Sequence, residues 1–204
     1  MTTPRDLLIV AMDRPSSRSV ERGDLSLALA GAELIDLLGA DAVRLDGDHI
    51  VPNPRRPIAD HLLDEAASSL AQQEPYESVD DWLWRRGRGL SAAYLAALEA
   101  EGQLARQRHR RWLLFRTSQM VLVDSPARRR ARDRWAADEP TVAALAVGIG
   151  IHDKRTEDSP SVADDAVATV LTAVTDALAE LADERQRRAR RLDEAAKTNY
   201  RRGF

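Results

Sequence analysis

The chain has 204 residues, 44% of them hydrophobic and 31% charged, which suits one globular domain over residues 1–204 and leaves no apolar run of ~20 residues to cross a bilayer. It contains no cysteine, which excludes a disulfide scaffold, a thiolate zinc site and a cysteine nucleophile. The net charge of −3 conceals segregation, because residues 104–134 hold 10 basic and 2 acidic side chains and residues 185–204 hold 8 and 2; such blocks call for an anionic partner, whether phospholipid, nucleic acid or an acidic face of the same molecule.

The first residues, MTTPRDLLIV, lack the apolar stretch of a secretory signal, so a cytoplasmic address is expected. Asp6–Met12 is a short apolar run that fits helix or strand, and Asp13–Gly23 reads as a loop around Pro15. Asp24 is expected to cap a helix reaching Leu38 and stopped by Gly39. That helix is apolar on nearly all sides (Leu25, Leu27, Leu29, Leu34, Ile35, Leu37), which places it at the centre of a bundle. Residues 42–51 read as a β-hairpin on Asp46-Gly47. A linker containing Pro52, Pro54 and Pro57 leads to a helix over Ile58–Gln73. Ser78-Val79-Asp80-Asp81 resembles a capping box before a short helix bearing Trp82 and Trp84. Gly87 and Gly89 interrupt the chain, and Ser91 is expected to cap a helix through Glu101.

Leu104–Gln107 and Trp112–Arg116 are expected strands around a basic tip, Arg108-His109-Arg110-Arg111. Ser125-Pro126 opens a helix with proline at its first position. It carries Arg128, Arg129, Arg130, Arg132 and Arg134 and ends near Trp135. A helix over Thr141–Val147 follows, and a long one from about Val162 to Ala196 with Val167, Val170, Leu171, Val174, Leu178 and Leu181 on one face. The stripe fades after Leu181, so residues 185–204 are expected to form a projecting or frayed basic helix. The fold class is all-α, mainly helical: a central helix bundle surrounded by amphipathic helices, with one or two small β-hairpins.

No catalytic motif occurs, no metal site and no cofactor-binding loop. His49, His61, His109 and His152 fall in four different elements. An enzyme is therefore not expected. What stands out is arginine beside turns. Arg85, Arg86 and Arg88 lie next to the start of the Ser91 helix, where unpaired amides and guanidinium groups would seat a phosphate. Arg110 and Arg111 precede Trp112 and Leu113, a combination that suits a membrane interface or a core strand packed on neighbouring helices. The basic C-terminal block has two readings as well, a partner-binding segment or a solvated helix face paired with its own acids. The bias toward arginine and alanine, with lysine only at Lys154 and Lys197, is that of a high-GC bacterial genome.

Asp60-His61-Leu62-Leu63-Asp64-Glu65-Ala66, continuing through Glu74-Pro75 to Trp82-Leu83, is similar to a helix and tryptophan segment of the Golgi phosphoprotein 3 family. Gly31–Leu38 (GAELIDLL) resembles that family's central helix. Glu101-Gly102-Gln103-Leu104 with Trp112-Leu113-Leu114-Phe115 resembles its helix, strand and hairpin. The resemblance implies a mostly helical, non-enzymatic protein attached peripherally to membranes through phosphatidylinositol 4-phosphate. Its four headgroup positions fall on Glu21, Ala30, Arg88 and Ser91, so one arginine is retained, and Arg22 offers charge from the same loop. The family's hairpin for membrane insertion and self-association falls on residues 104–116, with Arg110, Arg111, Trp112 and Leu113.

The expected function is binding of anionic phospholipid surfaces, with homo-oligomerisation through the 104–116 hairpin. The rival reading is a winged-helix DNA-binding protein with that hairpin as its wing. Nucleic acid is the disfavoured partner, because the preceding helix over residues 91–101 carries no arginine.

Overall fold

A computed structural model describes residues 2–13, 20–54, 57–111, 115–151 and 164–202, with side chains described outside 106–119 and 198–202. Among them are eight helices and two separate two-stranded antiparallel sheets, the mainly helical class expected from the sequence.

The apolar run near the N-terminus is a helix, α1 (Thr3–Asp13). The central helix α2 spans Arg22–Gly39. Its N-cap is Glu21, which makes no side-chain capping bond, and Asp24 lies in the first turn rather than at the cap. Asp24 instead accepts from Arg185 at 2.7 Å. Residues 25–35 and Leu37 of α2 are all buried, because the helix is wrapped by its neighbours on every side. Burying each of its leucines contributes roughly 1.5–3 kcal/mol.

The first hairpin pairs β1 (Val43–Asp46) with β2 (His49–Pro52). Its two turn residues are Gly47 and Asp48, one position later than expected. The next helix, α3, is His61–Ser68, half the expected length. Asp60 sets its start by accepting from the amides of Leu62 and Leu63. Ser78 caps α4 (Val79–Arg86) as expected, accepting from the Asp81 amide at 3.1 Å. Trp82 is fully buried, and its indole N–H donates to the Ala30 carbonyl at 3.1 Å, tying α4 to α2.

Helix α5 is Leu90–Ala100, and its N-cap is Gly89 at φ +74°, not Ser91. A left-handed residue between two closely spaced helices favours glycine. The second hairpin is longer than expected: β3 (Leu104–Arg111) pairs with β4 (Phe115–Leu122) in a register that opposes Arg111 to Phe115. Arg108–Arg111 therefore belong to a strand and not to a tip. Trp112 and Leu113 lie outside the described residues, as does most of the Asp13–Gly23 loop.

Helix α6 (Pro126–Ala136) starts on Ser125 with Pro126 in first position, as expected. Helix α7 (Pro140–Gly148) follows, and α8 runs without interruption over Asp165–Arg202. Val170, Val174, Ala177 and Leu178 of α8 are buried, whereas residues 186–197 are exposed all round. Gly31 lets α8 approach α2: a Cβ there would stand 2.3 Å from Val174 Cγ2.

The arginines of α6 are held largely by acids of this same molecule. Arg128 and Arg132 both pair with Asp13, the last residue of α1. Arg134 binds Asp6 at 2.6 Å and Glu139 at 3.0 Å. Burial pushes the Asp13 carboxyl up, but the bonds from Arg128 and Arg132 outweigh it and hold the group below its ordinary range.

Candidate lipid-headgroup site

The start of α2 and the start of α5 meet at one end of the bundle, joined by two serines. Ser26 Oγ accepts from the Ser91 amide at 3.1 Å, and the two hydroxyls lie 2.9 Å apart. The Ser91 hydroxyl is 3.4 Å from the Arg22 carbonyl. Around this junction stand the sequence-chosen residues Arg22, Arg85, Arg86, Arg88 and Ser91, and the structure separates them into two kinds.

Arg86 points inward. Its Nε and Nη2 bind the two oxygens of Glu33 at 2.8 and 3.0 Å, Nη1 binds Glu65 at 2.7 Å, and Nη2 also donates to the Leu62 carbonyl at 3.1 Å. Glu33, on α2, is 0% exposed and accepts a further bond from the Tyr94 hydroxyl at 2.9 Å. Burial pushes the Tyr94 phenol up, and the neighbouring Glu33 adds to that. For Arg86 burial works against the charge, but the bonds to Glu33 and Glu65 outweigh it, so the guanidinium remains protonated. Arg86 is thus the hub of an interior network joining α2, α3, α4 and α5, and four of its five donor directions are taken. Those donors are turned to the interior and not offered to a headgroup.

Arg85 is held by a bidentate pair with Glu77 at 2.6 and 2.7 Å, and it stacks 5.2 Å from the Trp82 ring centroid. Ser91 is also removed from the site, since its side chain is buried and engaged with Ser26. The opening amides of α5 are already satisfied: Leu90 N–H donates to Gly87 O, Ser91 N–H to Ser26 Oγ, and Ala92 and Ala93 N–H to Gly89 O. The expected seat of free helix amides is therefore absent at α5. Sequence reasoning failed here because a lone serine after a glycine looks like a cap, while its actual partner is 65 residues away.

Arg22 and Arg88 are different. Both are exposed, and neither guanidinium has a hydrogen bond or ion pair with a described residue. Arg185 of α8 reaches the same end of the bundle: a Cβ on Gly23 would lie 2.8 Å from its Nη2, while its Nη1 is on Asp24. Arg22 opens α2, Arg88 directly precedes Gly89 at the start of α5, and Arg185, compensated by Asp24, reaches the start of α2. The other two headgroup positions of the resemblance carry no such chemistry, Glu21 being exposed and acidic and Ala30 fully buried beneath Trp82. Arg110 and Arg111 lie on β3, on the hairpin that leaves the opposite end of α5.

A mainly helical domain built around one buried helix, with a long basic hairpin after its fifth helix, is the class these features define. A family model described as Golgi phosphoprotein 3 (GPP34) matches residues 4–202, and the chain belongs to that family. No curated protein matches it.

Proposed function

We propose that this chain is a non-enzymatic, peripheral membrane protein that binds anionic phospholipid headgroups through Arg22 and Arg88 on the cytoplasmic face of a membrane. The observation that carries the reading is the pair of exposed guanidinium groups without an acid partner among the described residues, placed where two buried helices start. Elsewhere in the described body most arginines are neutralised by named carboxylates, so these two stand ready for phosphate. Family membership supports the same reading, because the resemblance puts a headgroup arginine at Arg88.

Binding of phosphatidylinositol 4-phosphate is part of that reading, with weak selectivity. Glu21, the buried Ala30 and the internally bonded Ser91 leave Arg88 alone among the four positions. The hairpin, with Arg110, Arg111, Trp112 and Leu113, is proposed to meet the membrane or a second copy of the chain. A DNA-binding role is disfavoured by the exposed face of α5, formed by Ala92, Ala93, Ala96, Glu99 and Ala100, which has no cation to offer.

Co-sedimentation with vesicles of phosphatidylglycerol and of phosphatidylcholine, across a salt series, tests the proposal. Binding only to the anionic vesicles, weakening as salt rises, is expected, with about 1 kcal/mol available per basic residue at the surface. Equal binding to both vesicle types, or to neither, contradicts it.

A further inference from the structure

The outer face of α8 changes sign along its length. Residues 164–184 contain six acids and no base, and residues 185–202 contain eight bases and two acids. Counted at 100° per residue, Asp165, Asp176, Glu180 and Asp183 fall on one side of the helix, and Arg187, Arg190, Arg191 and Lys197 continue that same side, with Glu194 the acid set among them. It lies opposite the stripe of Val170, Val174, Ala177 and Leu178 that packs on α2, α4 and α7. The described elements of the domain therefore pack on the other side of α8.

Most of these charges are not spent on described residues. Asp176, Glu180, Asp183, Arg190 and Arg191 are exposed and have no ion pair with a described residue. The nearest internal compensation is Glu184, which binds Arg187 at 3.0 Å and Arg188 at 2.8 Å at the point where the sign changes. A helix whose outer face is acidic over one half and carries four bases against Glu194 over the other is complementary to itself when reversed. This is the condition for a two-fold interface, in which the same patch serves both partners.

We propose that a second copy of this chain docks along α8 in antiparallel orientation, crossing near residue 185. The crossing sets Glu180 and Asp183 of one copy against Arg190, Arg191 and Arg187 of the other, and two-fold symmetry repeats every pair. Because α2, α4 and α7 pack on the far side of α8, the described bodies lie on opposite sides of such a helix pair. The interface is distinct from the β3–β4 hairpin and does not rest on lipid binding. Because it is built from exposed ion pairs, each individually weak, it forms through their number and is sensitive to screening.

Sedimentation equilibrium of the full chain at low and moderate salt tests this. The wild type is expected to dimerise at low salt, with affinity falling about tenfold or more between 20 and 300 mM salt. An all-acidic variant (Arg187→Glu, Arg190→Glu, Arg191→Glu) and an all-basic variant (Asp176→Arg, Glu180→Arg, Asp183→Arg) should each be monomeric. Their equimolar mixture should form the heterodimer, and circular dichroism should show native helix content in both. A wild type that stays monomeric overturns the proposal, as do variants that still dimerise alone or a mixture that fails to associate. If the wild type is monomeric and the all-acidic variant instead loses binding to phosphatidylglycerol vesicles, the occupant of this face is a membrane, and the proposal is likewise overturned.

Discussion

Arg86→Ala separates an interior role for this arginine from a lipid-binding one. The substitution removes both guanidinium bonds to Glu33, the bond to Glu65 and the cap on the Leu62 carbonyl. Glu33 is left with Tyr94 as its one remaining donor among the described residues, in a site that is 0% exposed. Removing one partner of a buried ion pair costs about 3–5 kcal/mol, because the surviving charge is uncompensated. For a domain of this length each kcal/mol lowers the melting temperature by roughly 2–4 °C, so a drop on the order of 10 °C is expected. Urea unfolding gives the same quantity as free energy. Adding Glu33→Gln should return part of the loss, since it removes the stranded charge, and the two substitutions should be clearly non-additive. A loss below about 1 kcal/mol in Arg86→Ala, the level of an exposed pair, would refute the interior role.

The other predictions concern packing, pH and lipid choice. Gly31→Ala should destabilise by about 1–3 kcal/mol through overpacking, despite alanine's better helix propensity. Val174→Ala on the same chain should recover most of that in urea unfolding, because Val174 Cγ2 is the atom a Cβ would meet at 2.3 Å. Asp13 has a lowered folded value, so its stabilising contribution is complete above its unfolded value and is lost as pH falls through the folded one. Asp13→Asn should accordingly be less stable than wild type at neutral pH, with the gap closing in acid, as followed by melting temperature against pH. Vesicles carrying phosphatidylinositol 4-phosphate should be preferred over phosphatidylglycerol at equal charge by less than about tenfold, since each missing charged hydrogen bond forfeits about 1.5–3 kcal/mol. A strong preference in flotation assays would show that other residues rebuild that site.

Much of the fold was legible because local chemistry decided it. The all-round apolar character of residues 25–37, the Ser78 and Ser125 caps and Pro126 in first position each act over a few residues, and each appears where it was read. Boundaries that depended on distant partners were not legible. Ser91 looked like a cap and is instead a buried partner of Ser26. Asp24 looked like a cap and is instead the ligand of Arg185. At the site, exposure sorted the arginines, and exposure is a tertiary property. Nothing local distinguishes Arg86 from Arg88, two residues on, yet one is enclosed by three helices and the other faces solvent. Glu33 was the missed residue, and it did leave a signal: an acid inside GAELIDLL, on a helix apolar nearly all round, must be largely buried and must therefore be paired, as Glu33 is by Arg86 and Asp36 by the Thr3 amide. Following that rule to its partner would have withdrawn Arg86 from the headgroup list.

The most direct test of the membrane-binding account is vesicle affinity and melting temperature measured together on Arg22→Ala/Arg88→Ala. Neither guanidinium contacts a described acid, so the account predicts an unchanged melting temperature and an affinity for phosphatidylglycerol vesicles reduced at least about tenfold, the equivalent of 1.4 kcal/mol. Unchanged vesicle affinity, or a lost affinity accompanied by a matching loss of stability, would contradict it.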